Sequence, residues 1–155
     1  MHKRVLIFLI CVFAVGFAGY AASKKPAAPG APDKAYLQKL MDGWSAGNPA
    51  NMAQYYDQGQ YTFFDIVPVK YNNWEEYQKG VEGVLKGYKS FKLSVNDDAQ
   101  IHTDGNLTWA ASTVKQDAVT VAGKHELATL RWTVIFEKQG DKWMIVHEHT
   151  SEPLQ

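Results

Sequence analysis

The apolar positions between residues 32 and 47 recur at a helical spacing. The positions i, i+3, i+4 and i+7 are occupied by Leu37, Leu40, Met41 and Trp44. This spacing predicts an amphipathic helix that begins at Pro32 and ends at Gly47. A second, short helix is predicted after it, because Asn48 can cap a helix and Pro49 suits its first turn. Its buried side is predicted to comprise Met52, Tyr55 and Tyr56.

A third helix is predicted from residue 74, and its start carries a capping signal. Asn73 can accept a hydrogen bond from the first turn, and Glu76 follows three residues later. One face of this helix is a continuous apolar stripe of Trp74, Tyr77, Val81, Val84, Leu85 and Tyr88.

Most of the remaining chain has the pattern of β-strands. A β-branched and aromatic run covers residues 61–69, where Pro68 must end the strand or lie at an edge. Further strands are predicted over residues 91–95, 107–121, 127–137 and 142–150. We write the predicted order as ααβαβββ, which indicates an α+β domain in which a curved antiparallel sheet wraps around the three helices.

The first 22 residues resemble an export signal. Lys3 and Arg4 precede a long apolar run, and small residues follow at Ala21 and Ala22. We therefore predict a signal peptide over residues 1–22, a flexible linker over residues 23–31 and a folded domain over residues 32–155, with the protein exported to the periplasm or secreted. The alternative is an uncleaved anchor, the one membrane contact that the sequence suggests.

Composition limits the partners and the chemistry. The 16 basic residues balance the 16 acidic ones and form no cluster, so nucleic acid is not expected as a partner. The single cysteine, Cys11, lies in the predicted signal, which leaves the domain without a thiol or a disulfide. No motif indicates a cofactor, and we predict none.

The last hairpin brings the most informative polar residues together. Pairing Glu137 with Trp143 across the turn places Arg131, Thr133, His147 and His149 on one side of the sheet. The other side is then apolar and carries Trp132, Val134, Phe136, Met144 and Val146. The mixed side is typical of a lined pocket in which an arginine and imidazoles bind a carboxylate or an enolate oxygen. The alternative is that this end of the hairpin is exposed to solvent.

Asp65 is the second candidate, because it is an acid within an apolar strand. In a closed pocket its pKa would rise, which suits a general base; alternatively, Asp65 caps a helix or marks the strand end. A metal site formed by His147, His149 and Asp65 is a weaker interpretation, which Arg131 would oppose. We predict no metal.

At this point the chain resembles a known family, the SnoaL-like branch of the nuclear transport factor 2-like superfamily, which includes ketosteroid isomerases. The resemblance covers roughly residues 34–153. It is carried by the ending Gly140-Asp-Lys-Trp-Met-Ile-Val-His-Glu-His-Thr-Ser-Glu-Pro, by Leu130-Arg-Trp-Thr, and by Phe63-Phe-Asp-Ile-Val-Pro-Val-Lys-Tyr.

The resemblance implies a cone-shaped fold with a pocket at its open end, and often a homodimer through the outer face of the sheet. It also implies that Asp65 lies near the position of the general base, and that Arg131, Thr133, His147 and His149 line the pocket. Ketosteroid isomerase itself adds a second, protonated Asp to its oxyanion hole, and residues 107–114 contain no acid for that role.

Three hypotheses follow. The first is an exported domain that binds a small apolar or anionic molecule, with Trp44, Tyr56 and Trp109 as the apolar wall and with Arg131, Thr133, His147 and His149 on its polar group. The second is an isomerase, dehydratase or cyclase with Asp65 as general base, and with His147 or Arg131 stabilising an enolate. The third is a dimeric interaction domain that binds no ligand.

Overall fold

The computed structural model describes residue 26 and residues 28–154. Within these residues there are two α-helices, α1 (Lys34–Ser45) and α2 (Trp74–Leu85), and a 3₁₀ helix (Pro49–Tyr55) lies between them. Asp33 caps α1 by accepting a hydrogen bond from the Tyr36 N–H at 2.8 Å. The predicted cap of α2 is confirmed, since the Asn73 side chain accepts from the Glu76 N–H at 2.9 Å.

The strands form one curved sheet of mixed direction. Its members are β1 (Phe63–Phe64), β2 (Tyr88–Val95), β3 (Gln100–Asp104), β4 (Leu107–Thr120), β5 (His125–Gln139) and β6 (Lys142–Ser151). The strand order is β1-β6-β5-β4-β2, and β3 pairs with the other end of β4. All neighbours are antiparallel except β1 and β6, which run parallel.

The helices pack against the concave face of this sheet. The predicted stripe of α1 is confirmed, because its four apolar residues are all buried. From the sheet, alternate residues of β4 and β5 point to the same core, namely Ala110, Val114, Leu130, Trp132, Val134 and Phe136. The predicted α+β class is therefore confirmed, and its core lies between helices and sheet.

The structure differs from the predicted order in three respects. Five strands follow α2, whereas four were predicted by residue range and three in the order ααβαβββ. Strand β3 was not recognised because its residues are mainly polar. The predicted strand over residues 61–69 is reduced to Phe63 and Phe64, after which the chain turns back so that Phe63 pairs with Tyr71. Because β1 runs parallel to β6, the sheet is mixed and not purely antiparallel.

The predicted register of the last hairpin, with Glu137 opposite Trp143, is wrong by one residue at the turn. Glu137 lies opposite Met144, and Lys138 opposite Trp143. A register shift follows, since Phe136 pairs with Ile145 whereas Ile135 pairs with His147, which leaves Val146 as an extra residue. This β-bulge reverses the alternation, so that Ile145 and Glu148 are both buried although they are three residues apart.

The predicted signal peptide lies outside the described residues. In the described part of the predicted linker, the Ala28 N–H donates to the Gly105 carbonyl at 3.1 Å, and the Lys138 ammonium donates to the Pro29 carbonyl at 2.7 Å. This end of the linker is therefore held against the sheet. Within the part of the chain that is described, no helix has the length and apolar character needed to cross a membrane.

Candidate functional site

A cavity of about 310 Å³ lies between the concave face of the sheet and the two α-helices. Its walls are mainly aromatic and aliphatic side chains from α1, α2, β2, β4 and β5, including Met41, Trp44, Tyr77, Val81, Leu85, Phe91, Leu93, Val114, Leu130 and Trp132. The second half of the α2 stripe thus faces this cavity, which explains why Val81 and Leu85 are only partly buried. The volume is at the lower end of the range for small-molecule sites.

Asp65 places a carboxylate in the wall of this cavity. It directly follows β1, where the chain leaves the sheet, and it accepts a hydrogen bond from the Ile66 N–H at 2.7 Å. Burial raises the pKa of Asp65 to about 6, because the charged form loses solvation, although the Ile66 hydrogen bond lowers it in part. A carboxyl group with this pKa can exchange a proton near neutral pH.

Glu148 is a second carboxyl group in the cavity wall and was not among the predicted site residues. Its side chain is only 2% exposed, because the β6 bulge turns it onto the concave face. The Tyr56 hydroxyl donates a hydrogen bond to one carboxylate oxygen, and the Trp132 indole N–H donates to the other at 2.6 Å. The Trp44 indole N–H in turn donates to the Tyr56 hydroxyl at 3.3 Å.

The environment of Glu148 favours its protonated form. Burial raises its pKa to about 7, and the Tyr56 and Trp132 hydrogen bonds lower the pKa without offsetting the loss of solvation. The negative charge of Asp65 raises the pKa of Glu148 further. Burial likewise raises the pKa of the Tyr77 hydroxyl, with added repulsion from Glu148 and Asp65. The cavity therefore contains two interacting carboxyl groups and a neutral phenol.

The structure brings only some of the predicted site residues to this cavity. Asp65 and Trp44 line it, and Tyr56 lies directly behind Glu148. The others alternate with buried residues and lie on the convex face of the sheet, namely Trp109, Arg131, Thr133, His147 and His149. Arg131, Thr133, His147 and His149 share one side of the hairpin, as predicted, but that side is the convex face and not the cavity side.

The convex-face residues make contacts of their own. Trp109 stacks on His102 with ring centroids 4.3 Å apart. The ring centroid of Phe64 lies 5.6 Å from that of His147 and 5.7 Å from that of His149. A ring nitrogen of His147 hydrogen-bonds the Thr62 carbonyl at 2.8 Å. Arg131 donates to the carbonyl of Glu152 at 3.3 Å. Asp65, the third residue of the metal site considered from the sequence, lies on the concave side and not beside the two histidines. Across the described residues, no group of three His, Cys, Asp or Glu side chains is placed to hold a metal ion.

The fold matches many solved structures. A nuclear transport factor 2-like superfamily protein from Salmonella enterica serovar Typhimurium superposes with a TM-score of 0.70 at 19% identity, over 79% of this chain and 92% of that one. A nuclear transport factor 2-like protein of unknown function from Pseudomonas putida superposes with a TM-score of 0.66 at 17% identity, over 77% of this chain and 82% of that one. A candidate scytalone dehydratase from Novosphingobium aromaticivorans superposes with a TM-score of 0.68 at 9% identity, over 76% of this chain and 79% of that one.

These identities establish a shared fold and nothing further about function. A search of curated proteins returned no match. A sequence profile described as the SnoaL-like domain matches residues 34–155, which include both helices, the whole sheet and the cavity between them. The chain therefore belongs to the SnoaL-like domain family and has the nuclear transport factor 2-like fold.

Proposed function

We propose that this domain binds a small, largely apolar molecule in the cavity between the sheet and the helices. The observation that carries the proposal is the cavity itself: about 310 Å³, apolar on most of its surface, with the carboxyl groups of Asp65 and Glu148 in its wall. Small-molecule sites typically combine an apolar enclosure with a few polar groups that orient the ligand. The expectation of an anionic ligand rested on Arg131, His147 and His149, which lie on the opposite face.

The first prediction is that an apolar probe binds in this cavity and that filling the cavity expels it. Prodan, an uncharged naphthyl ketone whose fluorescence shifts to the blue in apolar surroundings, should bind saturably to the wild-type protein. Val81→Phe should weaken that binding by about tenfold or more, because the larger side chain occupies the cavity. The measurement is a fluorescence titration.

Val121→Phe is the matched control, since Val121 is exposed in a turn and does not line the cavity. It should bind prodan like the wild type. If Val81→Phe binds prodan as tightly as Val121→Phe does, the site lies elsewhere and the proposal fails.

A second candidate function, general acid–base catalysis next to a carbonyl group, is supported by the pKa of Asp65. At a value of about 6, this carboxylate can take a proton from a bound molecule and return it. A solved structure described as a candidate scytalone dehydratase shares the fold of this chain. Under this hypothesis Asp65 is the base, and the neutral Tyr77 hydroxyl in the cavity wall stabilises the developing oxyanion.

The second prediction tests this candidate by hydrogen exchange. In deuterated water the wild-type protein should accelerate exchange of the α-hydrogens of cyclohexanone, measured by NMR. Asp65→Asn should reduce the acceleration about 100-fold, because the amide cannot accept the proton. Glu75→Gln, on the exposed side of α2, is the control and should leave the rate unchanged. Equal rates in Asp65→Asn and in the wild type would remove Asp65 as the base.

We also propose a homodimer formed through the convex face of the sheet. In the monomer, Trp109 is 40% exposed and Leu107 is 48% exposed on this face, and large exposed apolar side chains in one patch are typical of an interface. Export to the periplasm or the medium remains a proposal that rests on the sequence of residues 1–22 alone.

A further inference from the structure

The ionisable side chains in the cavity wall share one property, which is that none of them is basic. The acids are Asp65, Glu148 and, at the exposed rim, Glu152, and the phenols are Tyr77 and Tyr88. Among the described residues, no lysine, arginine or histidine lines this cavity. An anionic ligand would therefore enter a site with negative charge and with no basic group to receive it.

The two inner carboxyl groups also have no cationic partner within the described chain. The ion pairs there join Lys34 to Asp97, Lys124 to Glu126 and His125 to Asp117, all near the surface. Glu148 is held by neutral donors, the Tyr56 hydroxyl and the Trp132 indole N–H. For Asp65, the hydrogen bond found among the described residues comes from its neighbour Ile66. Ionisation of either acid thus creates a charge that the protein does not compensate.

Aromatic rings make up much of the remaining wall. Trp44, Tyr77, Tyr88, Phe91 and Trp132 all line the cavity. The faces of such rings attract cations, most strongly when the cation is removed from water, and tryptophan is the best of them. Unpaired carboxylates and aromatic walls in one enclosure therefore favour the same sign of ligand charge.

We propose that the ligand of this cavity is an organic monocation, an ammonium group on an apolar body, with the ammonium beside Asp65 and Glu148. This inference rests on the proposed small-molecule function and specifies the charge class of the ligand. A bare metal ion is not the fit, because the described residues hold no cluster of three ligating side chains and the rest of the wall is apolar. The apolar walls receive the body of the molecule, and the carboxylates receive its charge.

The test compares three benzyl compounds of similar size and different charge. Benzyltrimethylammonium is permanently cationic, neopentylbenzene is its uncharged isostere, and phenylacetate is anionic. Calorimetric titrations of the full domain should be made at about pH 8, where both carboxyl groups are mainly ionised. The cation should bind about tenfold or more tightly than the isostere, and phenylacetate should not bind measurably.

Two variants locate the charge effect. Asp65→Asn should weaken binding of the cation about tenfold and should change the affinity for the uncharged isostere by no more than about twofold. Glu137→Gln removes the same charge from the convex face, where Glu137 pairs with Leu107, and should change neither affinity.

The outcomes separate the two proposals. If the isostere binds as tightly as the cation, or if phenylacetate binds best, the charge inference is overturned while the cavity still binds a small molecule. If none of the three compounds binds and prodan also fails to bind, the proposed function itself is overturned.

Discussion

Replacement of Tyr56 with alanine is expected to lower the free energy of unfolding by about 4 kcal/mol. The side chain is completely buried and stacks on Trp74 with ring centroids 4.4 Å apart. It also contacts the rings of Trp44, Phe63 and Tyr77 at 5.5 to 5.8 Å. Removing it leaves a cavity at the centre of this aromatic cluster and takes from Glu148 one of its two hydrogen-bond donors.

The hydroxyl and the ring of Tyr56 can be separated experimentally. Tyr56→Phe keeps the ring but loses the hydrogen bond to Glu148, and it should lower the free energy of unfolding by about 1–2 kcal/mol. Tyr55→Ala is the matched control, because the neighbouring Tyr55 is only half-buried. This substitution should lower the free energy of unfolding by about 1 kcal/mol. Urea unfolding of the three variants measures these differences. Equal losses in Tyr56→Ala and Tyr55→Ala would contradict the central position assigned to Tyr56.

The second large effect is a loss of stability as the pH rises from about 5 to about 8. The pKa of Glu148 is about 7 in the folded chain against an ordinary value of 4.5. Between these values the folded state binds more protons than the unfolded state, so the free energy of unfolding falls as the pH rises. At 1.36 kcal/mol per pKa unit, the loss is on the order of 3 kcal/mol. Asp65 contributes in the same direction, since its pKa is also raised.

Glu148→Gln isolates the contribution of Glu148 to this pH dependence. The glutamine can accept the Trp132 hydrogen bond with its carbonyl oxygen and donate to the Tyr56 hydroxyl oxygen, so the variant should fold. Its unfolding free energy should fall much less over the same pH range, and the difference from the wild type removes the contribution of every group that the two proteins share. If the two proteins show the same slope in chemical denaturation, Glu148 is ionised at its ordinary pKa and this account of the cavity is wrong.

The elements of this fold were predictable where the signals are local. The α1 stripe, the Asn73 cap and the long strands of the last hairpin depend on spacing and capping within about a dozen residues, and the structure contains each of them. Strand β3 was missed because its short polar sequence gives little periodicity, and its pairing with β4 is a tertiary contact.

The candidate site was predictable only in part, for a specific structural reason. The predicted pairing placed His147 and His149 on the same side of the hairpin as Arg131 and Thr133, and in the structure these residues do share one side. That mixed side was taken as the pocket side, whereas it is the convex face, because polar residues on alternate positions of a strand are also the pattern of a face exposed to solvent. The cavity lies on the other side, where Glu148 is. The α2 stripe presented a second ambiguity, since an apolar face that packs on a core and one that lines a cavity have the same pattern.

The most direct test of the ligand cavity is an NMR titration of the tryptophan indole N–H signals with prodan. Trp44 and Trp132 line the cavity, whereas Trp109 lies on the convex face. Tryptophan-to-phenylalanine variants assign the signals. Binding in the cavity predicts that the Trp44 and Trp132 signals shift saturably with one dissociation constant, while the Trp109 signal stays in place. A shift confined to Trp109 would place the ligand on the convex face and contradict the account.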